Sequence, residues 1–342
     1  MMPKILGAIF ILFFFVSLAI AAERYKDPIF GVEKTSSLIY APNVPHLVKK
    51  HFVTTLASGL KSSSDEVPVL HFYQNANEVK DENLFFDLFK PQEDSGKKRP
   101  LVIIVHGGAF VSGSRDDQTQ PIIGYCDSLA ARGYVVASID YRIGLVLKTV
   151  RNKMFLDSSD FKRAVQWGVQ DLQAAIQYFK VNAKDYGINP NRIFVVGCSS
   201  GAILALQSII ENTDAKPDAV ISLWGAVMDK VQIKNISAPV LLVHGTRDEI
   251  IPFKEGRMLN LDSVKEKNSY MPGYGSAAKA FNIKFSSPIF YGSFVIDSVL
   301  NNRRINHEFF FVEGEGHEFY GKEPYKADVL KRLVEFLYKN LQ

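Results

Sequence analysis

A chain of 342 residues, 47% hydrophobic and 22% charged, has ordinary globular composition and is long enough for one sizeable core or two small ones. Its net charge of +4 comes from 40 basic and 36 acidic residues spread along the whole length, so no block of like charge marks a nucleic-acid or membrane-surface partner. Pairs such as Lys49-Lys50 and Lys97-Lys98 read as solvated loop charges.

At the N-terminus, Lys4 precedes an unbroken apolar run from Ile5 to Ala22 that ends in small residues at Ala19, Ala21 and Ala22. This is the pattern of a secretory signal over residues 1–22. An uncleaved membrane anchor is the alternative, and the Ala-x-Ala end favours cleavage. The mature protein is then secreted or periplasmic, with no stable membrane anchor. Only two cysteines follow, Cys126 and Cys198, and both read as buried thiols, so the core rather than a disulfide framework must supply stability.

Residues 23–67 are mixed in character, include the polar run Lys61 to Glu66, and read as an N-terminal arm able to cover part of a site; residues 68–342 read as the catalytic domain. Two runs of strand character, Val67 to Tyr73 and Leu84 to Phe89, flank turn chemistry at Asn75-Ala76-Asn77-Glu78 and predict an edge hairpin. Leu101-Val102-Ile103-Ile104-Val105 is the unbroken β-branched run of a strand buried on both faces. From there strands and helices alternate: a helix around Ile122 to Ala131, strand Tyr134 to Ile139, helix Phe161 to Val181, strand Arg192 to Val196. A helix from Ala202, strands Ala219 to Trp224, Val240 to Val243 and Glu308 to Val312, and a last amphipathic helix Tyr325 to Tyr338 complete the series. This alternation predicts an α/β fold: one doubly wound, mostly parallel sheet with helices on both faces.

Gly197-Cys198-Ser199-Ser200-Gly201 lies between strand and helix and reads as a nucleophile elbow, with Ser199 at the strained corner above the sheet. Cys198, one residue before the corner, is the weaker nucleophile candidate. His106-Gly107-Gly108-Ala109-Phe110 ends the first buried strand, where the backbone N–H groups of Gly108 and Ala109, with that of Ser200, are placed to hold a developing oxyanion. A serine nucleophile needs a general base, and the base needs an acid to orient it. Of seven histidines, His317 stands apart, in the loop Glu313-Gly314-Glu315-Gly316-His317 after the last strand; His244 and His307 mark strand ends. The acid candidate is Asp248, directly after the strand Val240 to Val243, with Glu249 and Asp262 as rivals. The order Ser199, Asp248, His317 is that of the hydrolase sheet. Neither G-x-G-x-x-G nor a Walker lysine is present, and no metal or cofactor is called for.

These blocks, with Ser138-Ile139-Asp140-Tyr141-Arg142 at the second strand end, resemble the α/β-hydrolase superfamily, and within it the carboxylesterase and hormone-sensitive-lipase-like esterase group, over roughly residues 80–338. The resemblance implies ester hydrolysis through an acyl-serine, with Ser199 as nucleophile, His317 as base and Asp248 as orienter. The chain departs from the family in having Cys198 before the nucleophile and Ser200 after it. Asp140 and Arg142 are expected to form a buried ion pair supporting the strand end. Only Gly225 to Pro239 follows the strand after the elbow, too little for a large lid domain; the arm, the segment 143–160 with Leu145, Val146, Leu147 and Phe155, and the insert 254–287 with Tyr270, Tyr274 and Phe281 are the candidate covers. The expected partner is an ester, free or attached to a polymer, with short acyl or aryl groups first. A carbohydrate esterase, a lipase, a peptidase of the same fold and a catalytically silent binding protein are the alternatives.

Overall fold

The computed structural model describes residues 23–55, 69–118, 120–145, 148–150, 153–156, 158–211, 213–258, 284–285, 287–317 and 319–341. The expected signal 1–22, the polar run at 61–66, Val146, Leu147, Asp262, Tyr270, Tyr274 and Phe281 lie outside them.

The run Leu101 to Val105 forms the last five residues of strand β3 (Arg99–Val105), and its side chains explain the layers. Leu101, Ile103 and Val105 enter one core, Val102 and Ile104 the other, because successive side chains of a strand point to opposite faces. Chain order begins with β1 (Val32–Thr55) and β2 (Val69–Pro91). After β3 come α1 (Ile122–Ala130), β4 (Val135–Ile139), the short β5 (Lys148–Val150) and β6 (Lys153–Leu156), then α2 (Ser158–Val181) and α3 (Ala183–Tyr186). Next are β7 (Ile188–Cys198), α4 (Ser200–Ile210), β8 (Ala219–Leu223), β9 (Ala226–Val227) and β10 (Val240–Gly245). β11 (Glu255–Arg257), β12 (Lys284–Phe285), β13 (Ile289–Gly292), α5 (Ser293–Arg303), β14 (His307–Val312) and α6 (Tyr325–Lys339) close the chain.

The main sheet has the order β1-β2-β4-β3-β7-β8-β10-β14. From β4 to β14 neighbouring strands are parallel; β1 and β2 join antiparallel at one edge. Helices α2, α4 and α5 supply residues to the core on one face, α1 and α6 to that on the other. The expected doubly wound α/β architecture is therefore present.

Topology also fixes where a site can be. From β3 the chain moves outward to β4, and from β7 it moves the other way to β8 and β10, so β3 and β7 flank the switch point. Connections leaving two adjacent strands in opposite directions open a crevice at their C-terminal ends. The loop beginning at His106 and the corner at Ser199 lie at those two ends.

Two expectations need correction. The residues expected as a separate arm carry β1, the outermost strand of the sheet, and β1 pairs with β2 from Val32↔Pro91 to Thr55↔Val69. The turn expected at Asn75 to Glu78 lies inside β2. The hairpin is therefore one long ribbon: its base pairs with β4 from Phe86 to Phe89, and its outer part runs past the C-terminal end of β4. The second correction concerns Asp140 and Arg142, which do not pair with each other. Asp140 pairs with Arg115 at 2.5 Å and Arg142 with Asp171 of α2 at 2.9 Å. Residues past the end of β4 are drawn to the elements on either side of them, and Arg115 additionally reaches Asp87 of β2 at 2.8 Å.

Two of the expected covers meet. β6, in the segment 143–160, pairs with β5 and with β12, in the insert 254–287, forming a small three-stranded sheet with the pairs Lys284↔Phe155 and Phe285↔Leu156. Among the described residues no helix is long and apolar enough to cross a membrane.

Candidate active site

Ser199 occupies the corner between β7 and α4 with φ 54° and ψ −117°, a conformation an L residue adopts only under constraint. The constraint is close packing. A Cβ at Gly201 would stand 2.2 Å from the Val105 carbonyl oxygen and 2.5 Å from that of His106, so the start of α4 rests directly on the end of β3. The Ser199 N–H donates to Leu223 of β8 at 2.9 Å, completing the clamp.

Asp248 and His317 come from the ends of neighbouring strands, β10 and β14, which pair in register from Val240↔His307 to Gly245↔Val312. Backbone contacts then bind the two loops together: Thr246 N–H to Val312 at 3.0 Å and Arg247 N–H to Glu315 at 2.8 Å. The Thr246 hydroxyl accepts from Gly314 N–H at 2.9 Å. The result is a line of side chains. His317 Nε2 lies 2.9 Å from Ser199 Oγ, and His317 Nδ1 lies 2.6 Å from Asp248 Oδ2. Ser199 is 7% exposed and His317 9%, so both are nearly buried.

The Asp248 side chain is fully buried. Its Oδ1 accepts the N–H groups of Ile250 at 2.8 Å and Ile251 at 2.9 Å. Burial disfavours its charge, but the charge of His317 and hydrogen bonds from His244 and His317 outweigh it and hold the carboxyl well below the usual carboxylate range. Asp248 is thus an ionised acceptor. In its neutral form, with the proton on Nδ1 for Asp248, the His317 ring presents the Nε2 lone pair to Ser199. Trp224, buried at the end of β8, packs edge-on against the His317 ring at 6.1 Å and stacks on Tyr320 at 4.9 Å. The rival Glu249 is absent from these contacts.

The loop after β3 turns through three consecutive left-handed residues, Gly108 (φ 110°), Ala109 (φ 53°) and Phe110 (φ 62°). Gly108 has no substitute here, because a Cβ would sit 2.2 Å from the Ser112 carbonyl oxygen. Val111 and Ser112 N–H groups return to Gly108 O at 2.9 and 3.1 Å and close the turn, while no described residue accepts the N–H of Gly108 or Ala109. Ser200, the first residue of α4, has an N–H with no acceptor inside its own helix.

Sequence reasoning did not foresee the partners of this loop. Tyr141, buried after β4, donates its hydroxyl to His106 O at 3.1 Å and takes the Ser200 hydroxyl at 3.1 Å, joining the β3 loop to the elbow. Its ring stacks on His106 at 4.3 Å. Burial pushes the Tyr141 hydroxyl well above its ordinary value, although the Ser200 contact opposes this, so it stays protonated. His106 is itself buried, which lowers its proton affinity, and its Nδ1 is 2.7 Å from Gly107 O. His244 was expected only as a strand-end residue; it lies 3.0 Å from Asp248 Oδ2. Cys126 and Cys198 are buried and form no disulfide. Among the described residues, no group of three or more His, Cys, Asp or Glu side chains is placed to hold a metal ion.

A serine, an imidazole and a carboxylate aligned over the switch point of a mostly parallel sheet define the α/β-hydrolase class. Residues 86–230 match the model of the BD-FAE family. Over 219 residues the chain is 24% identical to esterase LipC of Mycobacterium tuberculosis, which is 50% of each protein. Over 131 residues it is 29% identical to an acylcarnitine hydrolase of Rattus norvegicus, covering 37% of this chain and 21% of that one. The chain spans about half the length of the LipC relative and less of the hydrolase. Its fold is similar to that of Thermogutta terrifontis esterase 2 phosphorylated by paraoxon, with TM-score 0.51, 18% identity, and coverage of 84% of this chain and 94% of the other. The fold is thus that of an α/β-hydrolase, and over part of its length the sequence is similar to the BD-FAE family and to proteins named as esterases.

Proposed function

We propose that this protein is a serine carboxylesterase that hydrolyses carboxylic esters through an acyl-enzyme on Ser199. The observation that carries the proposal is the unbroken contact line from Ser199 Oγ through His317 to Asp248, at 2.9 and 2.6 Å. Ser199 Oγ attacks the ester carbonyl as His317 Nε2 takes its proton. The N–H groups of Gly108, Ala109 and Ser200 hold the oxyanion, and Asp248 keeps the imidazole oriented and stabilises its charge. His317 then returns the proton to the departing alcohol. Water repeats the sequence on the acyl-serine, and the acid leaves. No step needs a metal or cofactor.

The preferred substrates are esters with short acyl or aryl groups, and the small sheet β5-β6-β12, which follows the C-terminal end of β4, together with the outer part of the β1-β2 ribbon, covers the acyl pocket. Residues 1–22 direct export, so the mature protein begins at Glu23 and meets its ester outside the cytoplasm. The named activities of the LipC and acylcarnitine-hydrolase relatives support ester hydrolysis at this level.

The test is turnover of p-nitrophenyl esters over a series of acyl lengths, alongside acetylated and feruloylated sugars, for the parent and Ser199→Ala. Removing the hydroxyl should lower kcat by about 10⁶-fold, as loss of the nucleophile does in subtilisin. A Ser199→Ala protein that kept most of its turnover would overturn the assignment.

A further inference from the structure

The acid of the triad serves two imidazoles. Asp248 Oδ2 lies 2.6 Å from His317 Nδ1 and 3.0 Å from His244 Nε2, while both N–H groups on Oδ1 come from the backbone. An ionised carboxylate can only accept, so His244 Nε2 carries a proton and donates it; the same N–H also faces Ile251 O at 3.2 Å. The opposite nitrogen, His244 Nδ1, lies 2.8 Å from Ser293 Oγ. In the tautomer with its proton on Nε2, the ring has its lone pair at Nδ1, where the serine hydroxyl is placed to donate to it. His244 and Ser293 are both fully buried.

Ser293 is held at this spot by the backbone on either side of it. Gly292 N–H donates to Lys254 O at 2.6 Å and Phe294 N–H to Phe253 O at 3.1 Å, which pins the junction of β13 and α5 to the loop carrying the acid. A Cβ at Gly292 would stand 1.8 Å from Pro252 O, so the approach admits only glycine. Gly292 occupies the N-cap of α5, which leaves the Ser293 hydroxyl for the histidine. Phe253 closes the remaining side of the ring edge-on at 5.6 Å.

We infer that His244 and Ser293 are positioning residues of the triad: Ser293 fixes the tautomer and orientation of His244, and His244 gives Asp248 a second side-chain donor. The inference rests on the esterase reading of Ser199, His317 and Asp248. Its chemical content is a limit on the acid. Four donors on Asp248 weaken its hold on any proton, so the Nδ1 proton stays on His317 and the Nε2 lone pair stays directed at Ser199. The charged or titratable groups facing Asp248 are His317, from the loop after β14, and His244, from the end of β10. Ser293 of α5 and Trp224 at the end of β8 pack on the two imidazoles and carry no charge.

The experiment compares the parent, His244→Leu, His244→Gln and Ser293→Ala in the mature protein, with active sites counted by fluorophosphonate labelling so that kcat is expressed per competent site. A lost hydrogen bond to a charged group predicts a fall in kcat of about 10- to 100-fold for His244→Leu with KM within about threefold. The acid limb of the kcat/KM profile should move to higher pH, because the charge of Asp248 is then concentrated on His317. The downfield Nδ1 proton resonance of His317 should move with it. Glutamine restores a donor near the Nε2 position and should recover most of kcat; Ser293→Ala should shift limb and resonance in the same direction by less. Unchanged kcat per site with an unmoved acid limb and resonance would overturn the inference, whatever the yield of folded protein. If His244→Leu does not fold, Ser293→Ala and His244→Gln decide by the same readouts. A folded parent that neither labels at Ser199 nor hydrolyses esters would overturn the esterase reading and this inference with it; a labelled, active parent whose variants behave like it overturns the inference alone.

Discussion

Tyr141→Phe removes one oxygen from a buried three-way contact. In the parent that oxygen donates to His106 O and accepts from Ser200 Oγ, each at 3.1 Å, with all three residues buried. Taking it away leaves a carbonyl and a hydroxyl without their partner, and a buried polar group left so costs about 1–3 kcal/mol. Ser200→Ala is milder. It removes the donor to a tyrosine that still satisfies His106, and a cost of about 0.5–1.5 kcal/mol is expected. Once Tyr141 is phenylalanine, however, Ser200→Ala deletes an orphaned hydroxyl, so the double variant should be no less stable than Tyr141→Phe alone. The expected coupling is about 1 kcal/mol, to be read from urea midpoints at constant m. Because the same contact ties the loop of Gly108 and Ala109 to the elbow, kcat should fall with Tyr141→Phe while KM changes little. Costs that add to within about 0.3–0.5 kcal/mol, or a Tyr141→Phe cost below that range, would refute the reasoning.

Asp248→Asn keeps the shape of the acid but can present an N–H to His317, allowing the wrong tautomer; kcat should drop by about 10⁴-fold, as the equivalent change does in a serine protease, with little change in KM. Asp94 offers a test of stability rather than chemistry. The Arg24 guanidinium bonded to it, with help from Arg99 and the Gly96 N–H and against burial, holds its carboxyl well below the ordinary range. A depressed folded-state value stabilises fully above the unfolded value of about 4 and loses that contribution as pH falls toward the folded one. Asp94→Asn should therefore lower Tm at pH 7, and the gap to the parent should narrow below about pH 4; a gap constant from pH 7 to pH 3 would contradict the ion-pair account.

Those parts of the fold whose signal is local were legible in the sequence. The apolar run Leu101 to Val105 is buried on both faces because it is central in a parallel sheet, and that burial is what suppresses polar alternation. The proposed site residues Ser199, Asp248 and His317 could be singled out because each follows a strand, and a parallel sheet brings all such ends to one edge. The ribbon was misread for the converse reason. Asn75 to Glu78 has turn composition, and the ribbon absorbs it as a register shift between Leu47↔Val79 and Lys49↔Asn75, after which pairing with β1 resumes, so that long-range strand pairing overrides the local preference to reverse the chain. Ser293 lies 49 residues from His244, with no sequence period relating them, and only the packing of the β13-α5 junction on the acid loop brings them together. Asp140 and Arg142 show the same limit, since their partners Arg115 and Asp171 are 25 and 29 residues away.

The central claim is that Ser199 is made nucleophilic by His317 and Asp248. The most direct measurement is peptide mapping after treatment with paraoxon, the reagent that phosphorylates the Thermogutta terrifontis esterase. The account predicts a single stoichiometric phosphoryl adduct on Ser199, formed far more slowly in His317→Ala and absent from Ser199→Ala, with ester hydrolysis lost in step with labelling. An active protein whose adduct lay on Ser200 or another residue, or which remained unmodified while hydrolysing esters, would contradict it.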